Sequence, residues 1–100
     1  MEEADARSAA SRAYYAVFHV AVEKTSRLAS YTGAGDHGKL LDVARRAWPS
    51  ARFREFMTLQ DARVDADYML NRRFSVERAR ALHQLAIRLT GELDGRQGRE

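Results

Sequence analysis

Two side chains that could act together on an RNA phosphate occur near the start of the chain. Arg12 and His19 are seven residues apart within the run SRAYYAVFH. On a helix of about 3.6 residues per turn they lie about 20° out of line and roughly 10 Å apart along the axis, so they share one face. A histidine can move the proton of a 2′-hydroxyl and an arginine can stabilise charge on phosphate, which suits phosphoryl-transfer chemistry on RNA. The alternative is a packed His19 and a solvated Arg12.

A second polar cluster ends the third predicted helix. Its members are Asp61, Arg63, Asp65, Asp67 and Tyr68. Arg63 and Asp67 are four residues apart and can pair along a helix, and Tyr68 can reach back toward the first helix. The aspartates do not share one narrow face and no histidine stands at ligand spacing, so the sequence predicts no metal site.

His37 is a third candidate, near the start of the second predicted helix and followed by Gly38 and Lys39. Helix N-termini expose free N–H groups that attract anions, so this stretch could contact phosphate. Asp36 would occupy the same positive end of the helix, which favours a capped helix start instead.

Hydrophobic spacing predicts the elements that must position these residues, which are four helices joined by short connections. They run from about Ala4 to Ser30, from His37 to Ala47, from Ser50 to about Tyr68, and from Val76 to Leu93. The predicted N-caps are Asp36, Ser50 and Ser75. Such helices most simply form an all-α, up-and-down four-helix bundle. We expect one domain over residues 1–93 and a flexible tail over residues 94–100, where the chain becomes charged and glycine-containing.

The first predicted helix carries two apolar stripes. The larger one contains Tyr14, Val17, Phe18, Ala21 and Val22. The other consists of small residues, namely Ala9, Ala13, Ala16 and Val20. Small side chains let another backbone come close, so the second stripe should meet a neighbouring helix inside the bundle or across a dimer.

Composition excludes several classes of protein. With 45% hydrophobic residues the chain can form a core, and its apolar runs are too short for a membrane span. It contains no cysteine, which excludes disulfides, zinc–thiolate sites and thiol nucleophiles, and it opens on an acidic stretch unlike a signal peptide. We therefore expect a cytoplasmic protein. The net charge of +3 is mostly due to arginine and leans toward contact with nucleic acid.

Three motifs resemble those of the HEPN domain family. SRAYYAVFH is similar to the first-helix signature of the branch in which an R-x-A-Y-Y-A-x-F-H run recurs. His37-Gly38 resembles that branch's H-G at the start of the second helix. Arg63 with Ala66-Asp67-Tyr68 resembles its R-x-x-A-D-Y stretch at the end of the third. The motifs occur in the family's order over nearly the whole chain.

The resemblance implies a HEPN-like four-helix bundle, usually a homodimer, often encoded beside a minimal nucleotidyltransferase in a toxin–antitoxin-like pair. Many HEPN proteins are metal-independent RNases that use an arginine followed by a histidine, a role that would fall to Arg12 and His19. In the well-defined RNase branch the motif lies on a later helix and ends in a tyrosine. The best match there is Arg63 to Tyr68, with Asp67 where a histidine would be expected. An aspartate does not readily donate a proton at neutral pH, which favours a non-catalytic member.

We therefore expect a dimeric HEPN-domain protein that binds a nucleotide, RNA or a nucleotidyltransferase without cutting. Its expected binding residues are Tyr15, His37, Arg63, Asp67 and Tyr68. One alternative is a metal-independent RNase toxin with His19 as general acid/base and Arg12 as phosphate clamp. Another is a purely structural helical oligomerisation module. No cofactor, metal or membrane partner is expected.

Overall fold

Four α-helices account for most of residues 2–95, the part of the chain that the computed structural model describes. They are α1 (Glu3–Lys24), α2 (Asp36–Ala47), α3 (Ser50–Tyr68) and α4 (Val76–Leu93). These residues contain no strand, so the predicted all-α class and the number of helices are confirmed. Of the predicted flexible tail, Asp94 and Gly95 form a turn after α4, and residues 96–100 lie outside the described residues.

Contacts between helix ends give the direction of each helix. Arg7, near the start of α1, donates hydrogen bonds to the carbonyl oxygens of Asp65 and Ala66 near the end of α3, at 3.1 and 3.0 Å. These two helices are therefore antiparallel. Lys24, at the end of α1, lies 3.6 Å from the carboxylate of Asp94 just beyond α4, so α1 and α4 run in the same direction. In the predicted up-and-down order, α1 would instead be parallel to α3 and antiparallel to α4.

The connection between α1 and α2 explains this difference. It turns back along α1, so that His37 in the first turn of α2 contacts the middle of α1. The other end of α2 lies near the end of α1, because Val43 and Ala47 line a small hollow together with Leu28, which follows α1 in the sequence. Because α2 begins beside the middle of α1 and returns toward its end, α3 must then run down against α1.

The core is built from the apolar faces that the spacing predicts. Its largest fully buried side chains are Tyr14, Val17, Leu40, Phe56, Leu59 and Leu89. Small residues dominate where α1 meets α4, which lets the two backbones approach closely; the buried ones are Ala6, Ala10, Ala13, Ala79 and Ala86. In the second predicted stripe, Ala13 is buried but Ala16 is exposed, so that stripe lies at the edge of the α1–α4 contact.

The helix ends agree with the sequence at some positions and differ at others. Helix α1 stops at Lys24 rather than Ser30, and the buried Thr25 follows it, with its hydroxyl bonded to the Ala21 carbonyl (2.8 Å) and to the Tyr31 hydroxyl (2.7 Å). Asp36 does not cap α2. Gly35 takes the N-cap position at φ +75°, and the Asp36 carboxylate accepts from the backbone N–H groups of Thr32 and Gly33 at 3.0 and 2.8 Å.

Two serines predicted as caps give a matched comparison. The Ser75 hydroxyl accepts from the Arg78 backbone N–H at 3.0 Å, which confirms it as the cap of α4, whereas Ser50 lies inside the first turn of α3, where Pro49 holds the N-cap position. We expect Ser75→Ala to lower the free energy of unfolding by about 1 kcal/mol and Ser50→Ala to change it far less. Urea unfolding followed by circular dichroism measures both; equal losses would show that the Ser75 bond contributes nothing.

Candidate functional site

A largely buried arginine connects α3 to the aromatic residues of α1. The guanidinium carbon of Arg63 lies 5.3 Å from the ring centre of Tyr14 and 5.8 Å from that of Tyr15. Its Nη1 atom is 3.5 Å from Oδ2 of Asp67, one helical turn further along α3. Only 12% of the Arg63 side chain is exposed, so the aromatic rings and the carboxylate surround it on several sides. A cation held this way gains from both ring faces and from the ion pair.

His37 of α2 completes this cluster. Its Nδ1 atom lies 2.7 Å from the Tyr14 hydroxyl, and its ring stacks on Phe18 with 4.4 Å between ring centres. The ring of Tyr15 meets it edge-on at 5.7 Å. We refer to Tyr14, Tyr15, His37 and Arg63 as the tyrosine–histidine–arginine cluster. It joins three helices and contains at least one residue from each of the three sequence motifs.

The protonation states in the cluster follow from burial and charge. Burial raises the pKa of Tyr14 to about 12, against an opposing effect of Arg63, so its hydroxyl keeps its proton. Burial, with help from Arg63, lowers the pKa of His37 despite the opposing charge of Asp36, which favours the neutral ring. Among the described residues the Tyr14 hydroxyl has no other hydrogen-bond partner, and which of the two atoms donates depends on the tautomer of the His37 ring.

A concave surface opens beside the cluster, between α1 and the last turn of α3. We call it the α1–α3 groove. It has a volume of about 620 Å³ and is lined by Arg7, Ser8, Ser11, Arg12, Ala66, Asp67 and Tyr68. Asp67 belongs to this lining and also pairs with Arg63, so it connects the groove to the cluster.

The two arginines that line the groove, Arg7 and Arg12, differ in their hydrogen bonding. Arg7 is fully engaged, because it bonds to the last carbonyl groups of α3, to the carbonyl oxygen of Arg72 and to the Glu3 carboxylate at 2.9 Å. It therefore holds α1 against the end of α3 and forms the groove. The exposed guanidinium of Arg12 has no hydrogen bond or ion pair to any residue in the range 2–95. That leaves Arg12 able to bind an anion.

The structure places the predicted residues in two groups. Tyr15, His37 and Arg63 come together in the cluster, largely occupied with one another. Separate from them, Arg12, Asp67 and Tyr68 line the groove.

His19 belongs to neither group. It is exposed, and its ring lies 6.3 Å from that of Tyr15 and 5.6 Å from that of Phe18. The groove lining therefore includes Arg12 without His19.

Sequence reasoning did not single out Arg7, Ser8 or Ser11 as site residues. The available signal was their spacing, since Ser8 and Ser11 precede Arg12 and Tyr15 by one helical turn each. Arg7 lies one helical turn after Glu3, with which it pairs, but no local signal indicates its bonds to the carbonyl groups of Asp65 and Ala66, which are 58 and 59 residues away in the sequence.

Further properties of the described residues limit the kinds of site present. Residues 2–95 contain no group of three or more histidine, cysteine, aspartate or glutamate side chains placed to hold a metal ion. None of the helices in that range is both long enough and apolar enough to cross a membrane.

Comparisons of the chain with protein-family models, curated proteins and solved structures gave no match. The HEPN resemblance therefore depends on the three sequence motifs.

The hydrogen bond between Tyr14 and His37 should contribute measurably to stability. Tyr14→Phe keeps the ring and removes the hydroxyl, which leaves Nδ1 of His37 without its partner. We expect a loss of about 1 kcal/mol in the free energy of unfolding. Tyr68→Phe is the control, because that residue is 69% exposed and its hydroxyl bonds to no other described residue. Equal stabilities for both variants in urea would contradict a role for the bond.

The lowered pKa of His37 also predicts how stability changes with pH. The unfolded chain, with an ordinary histidine pKa near 6.5, takes up the proton more readily than the folded chain does. The stabilising contribution is therefore complete above that value and is lost as the pH falls below it toward the folded-state pKa.

We expect the free energy of unfolding to decrease from about pH 7 to about pH 5, and His37→Gln to reduce that slope. His83→Gln, the same change at an exposed position outside the cluster, is the control variant. Urea unfolding at a series of pH values measures this. A slope unaffected by His37→Gln would assign the pH dependence to other groups.

Proposed function

We propose that this chain is a HEPN-like binding protein that holds single-stranded RNA or a nucleotide in the α1–α3 groove without cleaving it. The observation that supports this most directly is that the groove combines an arginine without an acidic partner, Arg12, with an aromatic ring that is 69% exposed, Tyr68. An arginine suits phosphate and an exposed ring suits a base. Those are the two parts that every nucleotide presents.

The two sides of the groove divide the proposed contacts between phosphate and base. Arg12 can donate two parallel hydrogen bonds to phosphate oxygens, and the hydroxyl groups of Ser8 and Ser11 can donate to the same group. Tyr68, on the opposite side, can stack on an unpaired base. A double helix buries its base faces in stacking, so this arrangement favours a single strand or a free nucleotide.

Basic side chains continue beyond the groove. Arg72 and Arg73 are exposed in the connection between α3 and α4, and the carbonyl oxygen of Arg72 accepts a hydrogen bond from Arg7 in the groove lining. Neither side chain forms an ion pair with a described residue. A nucleic acid strand that leaves the groove in this direction would meet positive charge.

The site favours binding over cleavage because of where the histidines lie. General acid/base catalysis requires a proton donor or acceptor within hydrogen-bond reach of the reacting group. The groove lining contains no histidine, Nδ1 of His37 is committed to Tyr14, and His83 lines a separate hollow between α1 and α4 that Arg12 also borders. The metal-independent RNase that would use Arg12 and His19 is therefore the second candidate, and its support is that both side chains are exposed on the same helix. The structural oligomerisation module is the third.

Fluorescence anisotropy with a short labelled single-stranded RNA, in EDTA and over a range of salt, tests the proposal. We expect Arg12→Ala to weaken binding and to reduce the slope of log Kd against log salt by about 1. Tyr68→Ala should weaken binding about tenfold, which corresponds to the loss of one stacked base. Arg80→Ala removes an exposed arginine of α4 outside the groove and should have little effect.

Each outcome distinguishes among the candidates. No binding by the folded wild-type protein, or equal losses in Arg12→Ala and Arg80→Ala, would contradict the groove as the site. RNA cleavage in EDTA that disappears in both Arg12→Ala and His19→Ala would establish the RNase instead. The homodimer and the nucleotidyltransferase partner implied by the HEPN resemblance belong to the same proposal, and light scattering of the purified protein tests the first of them.

A further inference from the structure

The groove contains a carboxylate that a phosphate-binding surface does not require. Asp67 lies in the last turn of α3, its side chain is 33% exposed, and it lines the groove next to Tyr68. A carboxylate repels phosphate and can only accept hydrogen bonds. Its natural partner in a bound nucleotide is therefore a group that presents N–H or O–H donors.

Arg63 holds the Asp67 carboxylate in position from the side that faces the protein interior. Its Oδ2 atom lies 3.5 Å from Nη1 of Arg63, and Arg63 is itself fixed against the rings of Tyr14 and Tyr15. Oδ1 has no hydrogen-bond partner among residues 2–95, and Oδ2 has a second lone pair. The carboxylate can therefore accept two parallel hydrogen bonds while it keeps its ion pair.

The four RNA bases differ in how they match such an acceptor pair. Guanine presents two adjacent donors on its Watson–Crick edge, the N1–H and the N2 amino group. Adenine and cytosine place an acceptor beside their amino group, and uracil places acceptors on both sides of its single N–H. With these three bases a carboxylate oxygen would face a lone pair, so only guanine can satisfy both oxygens.

We propose that Asp67 makes the α1–α3 groove selective for guanine, with the base stacked on Tyr68 and its N1–H and N2 amino group donating to the carboxylate. This inference depends on the RNA- or nucleotide-binding function proposed above. The phosphate of the same nucleotide, or of its neighbour in a strand, would lie toward Arg12. Arg63 acts as a positioning residue, because it orients the carboxylate and does not contact the ligand.

Anisotropy with labelled oligouridines that carry one central guanine, adenine, cytosine or uracil tests the selectivity. We expect the guanine oligomer to bind about tenfold more tightly than the others, in line with one good bidentate contact. Inosine, which lacks the N2 amino group, should fall between guanine and adenine. Asp67→Asn should remove the preference, because an amide presents a donor beside its acceptor. Asp61→Asn, the same change at an exposed position of α3 outside the groove, should keep it.

The outcomes separate this inference from the function on which it depends. Binding of all four oligomers with equal affinity would overturn the guanine preference and leave the RNA-binding function intact. Binding of none by the folded protein would overturn both. A guanine preference that survives in Asp67→Asn would also overturn the inference, because the selectivity would then come from another residue. Competition by GMP at a comparable concentration would identify a free guanine nucleotide as the ligand, whereas preference for the oligomer alone would identify RNA.

Discussion

The hydroxyl group of Tyr14 sets a constraint that the rest of the molecule must satisfy. Tyr14 is the largest fully buried side chain, and its ring contacts those of Phe18 and Phe56 in the middle of the core. A polar atom placed so deeply costs free energy unless it is hydrogen-bonded. His37 provides that partner from the first turn of α2, which requires the chain after α1 to turn back along the helix it has just left.

That requirement has consequences for the direction of every later helix. Because α2 starts beside the middle of α1, its far end returns to the end of α1, and α3 must then descend against α1. The end of α3 consequently meets the beginning of α1, where Arg7 bonds to its final carbonyl groups. The α1–α3 groove exists because these two helix ends meet. Its position thus depends indirectly on how the Tyr14 hydroxyl is satisfied.

One face of α1 contributes to the core, and the other contributes residues to the proposed binding groove. Tyr14 and Phe18 face the core, while Ser8 and Arg12 face outward to the groove, and Tyr15 lies between them against Arg63. Asp67 lies on the boundary: Oδ2 pairs with the largely buried Arg63, while Oδ1 and the second lone pair of Oδ2 remain available to a ligand. A contact of this kind lets the rigid interior define the orientation of a single surface group, which is what selective binding demands.

Much of this protein can be predicted from its sequence because the signals are local. The spacing of apolar residues predicts four helices, and the ends of α3 and α4 agree with the structure, as does the cap at Ser75. The pairing of Arg63 with Asp67 also follows from their separation by one helical turn. Each of these depends on residues a few positions apart, whose geometry a helix already determines.

Contacts between distant residues could not be predicted in the same way. Apolar periodicity tells which face of a helix is buried but not which way the next helix runs, so α1 lies parallel to α4 where an up-and-down order would have made them antiparallel. Arg7 and Asp65 are far apart in sequence, and no local pattern indicates that one bonds to the other's backbone. The separation of His19 from the groove likewise depends on how helices that are distant in the sequence pack against one another. By itself the sequence determined the helices and the chemistry available on each of them. Only the tertiary structure decided which of those side chains share a surface, because that depends on contacts between residues that are far apart in the sequence.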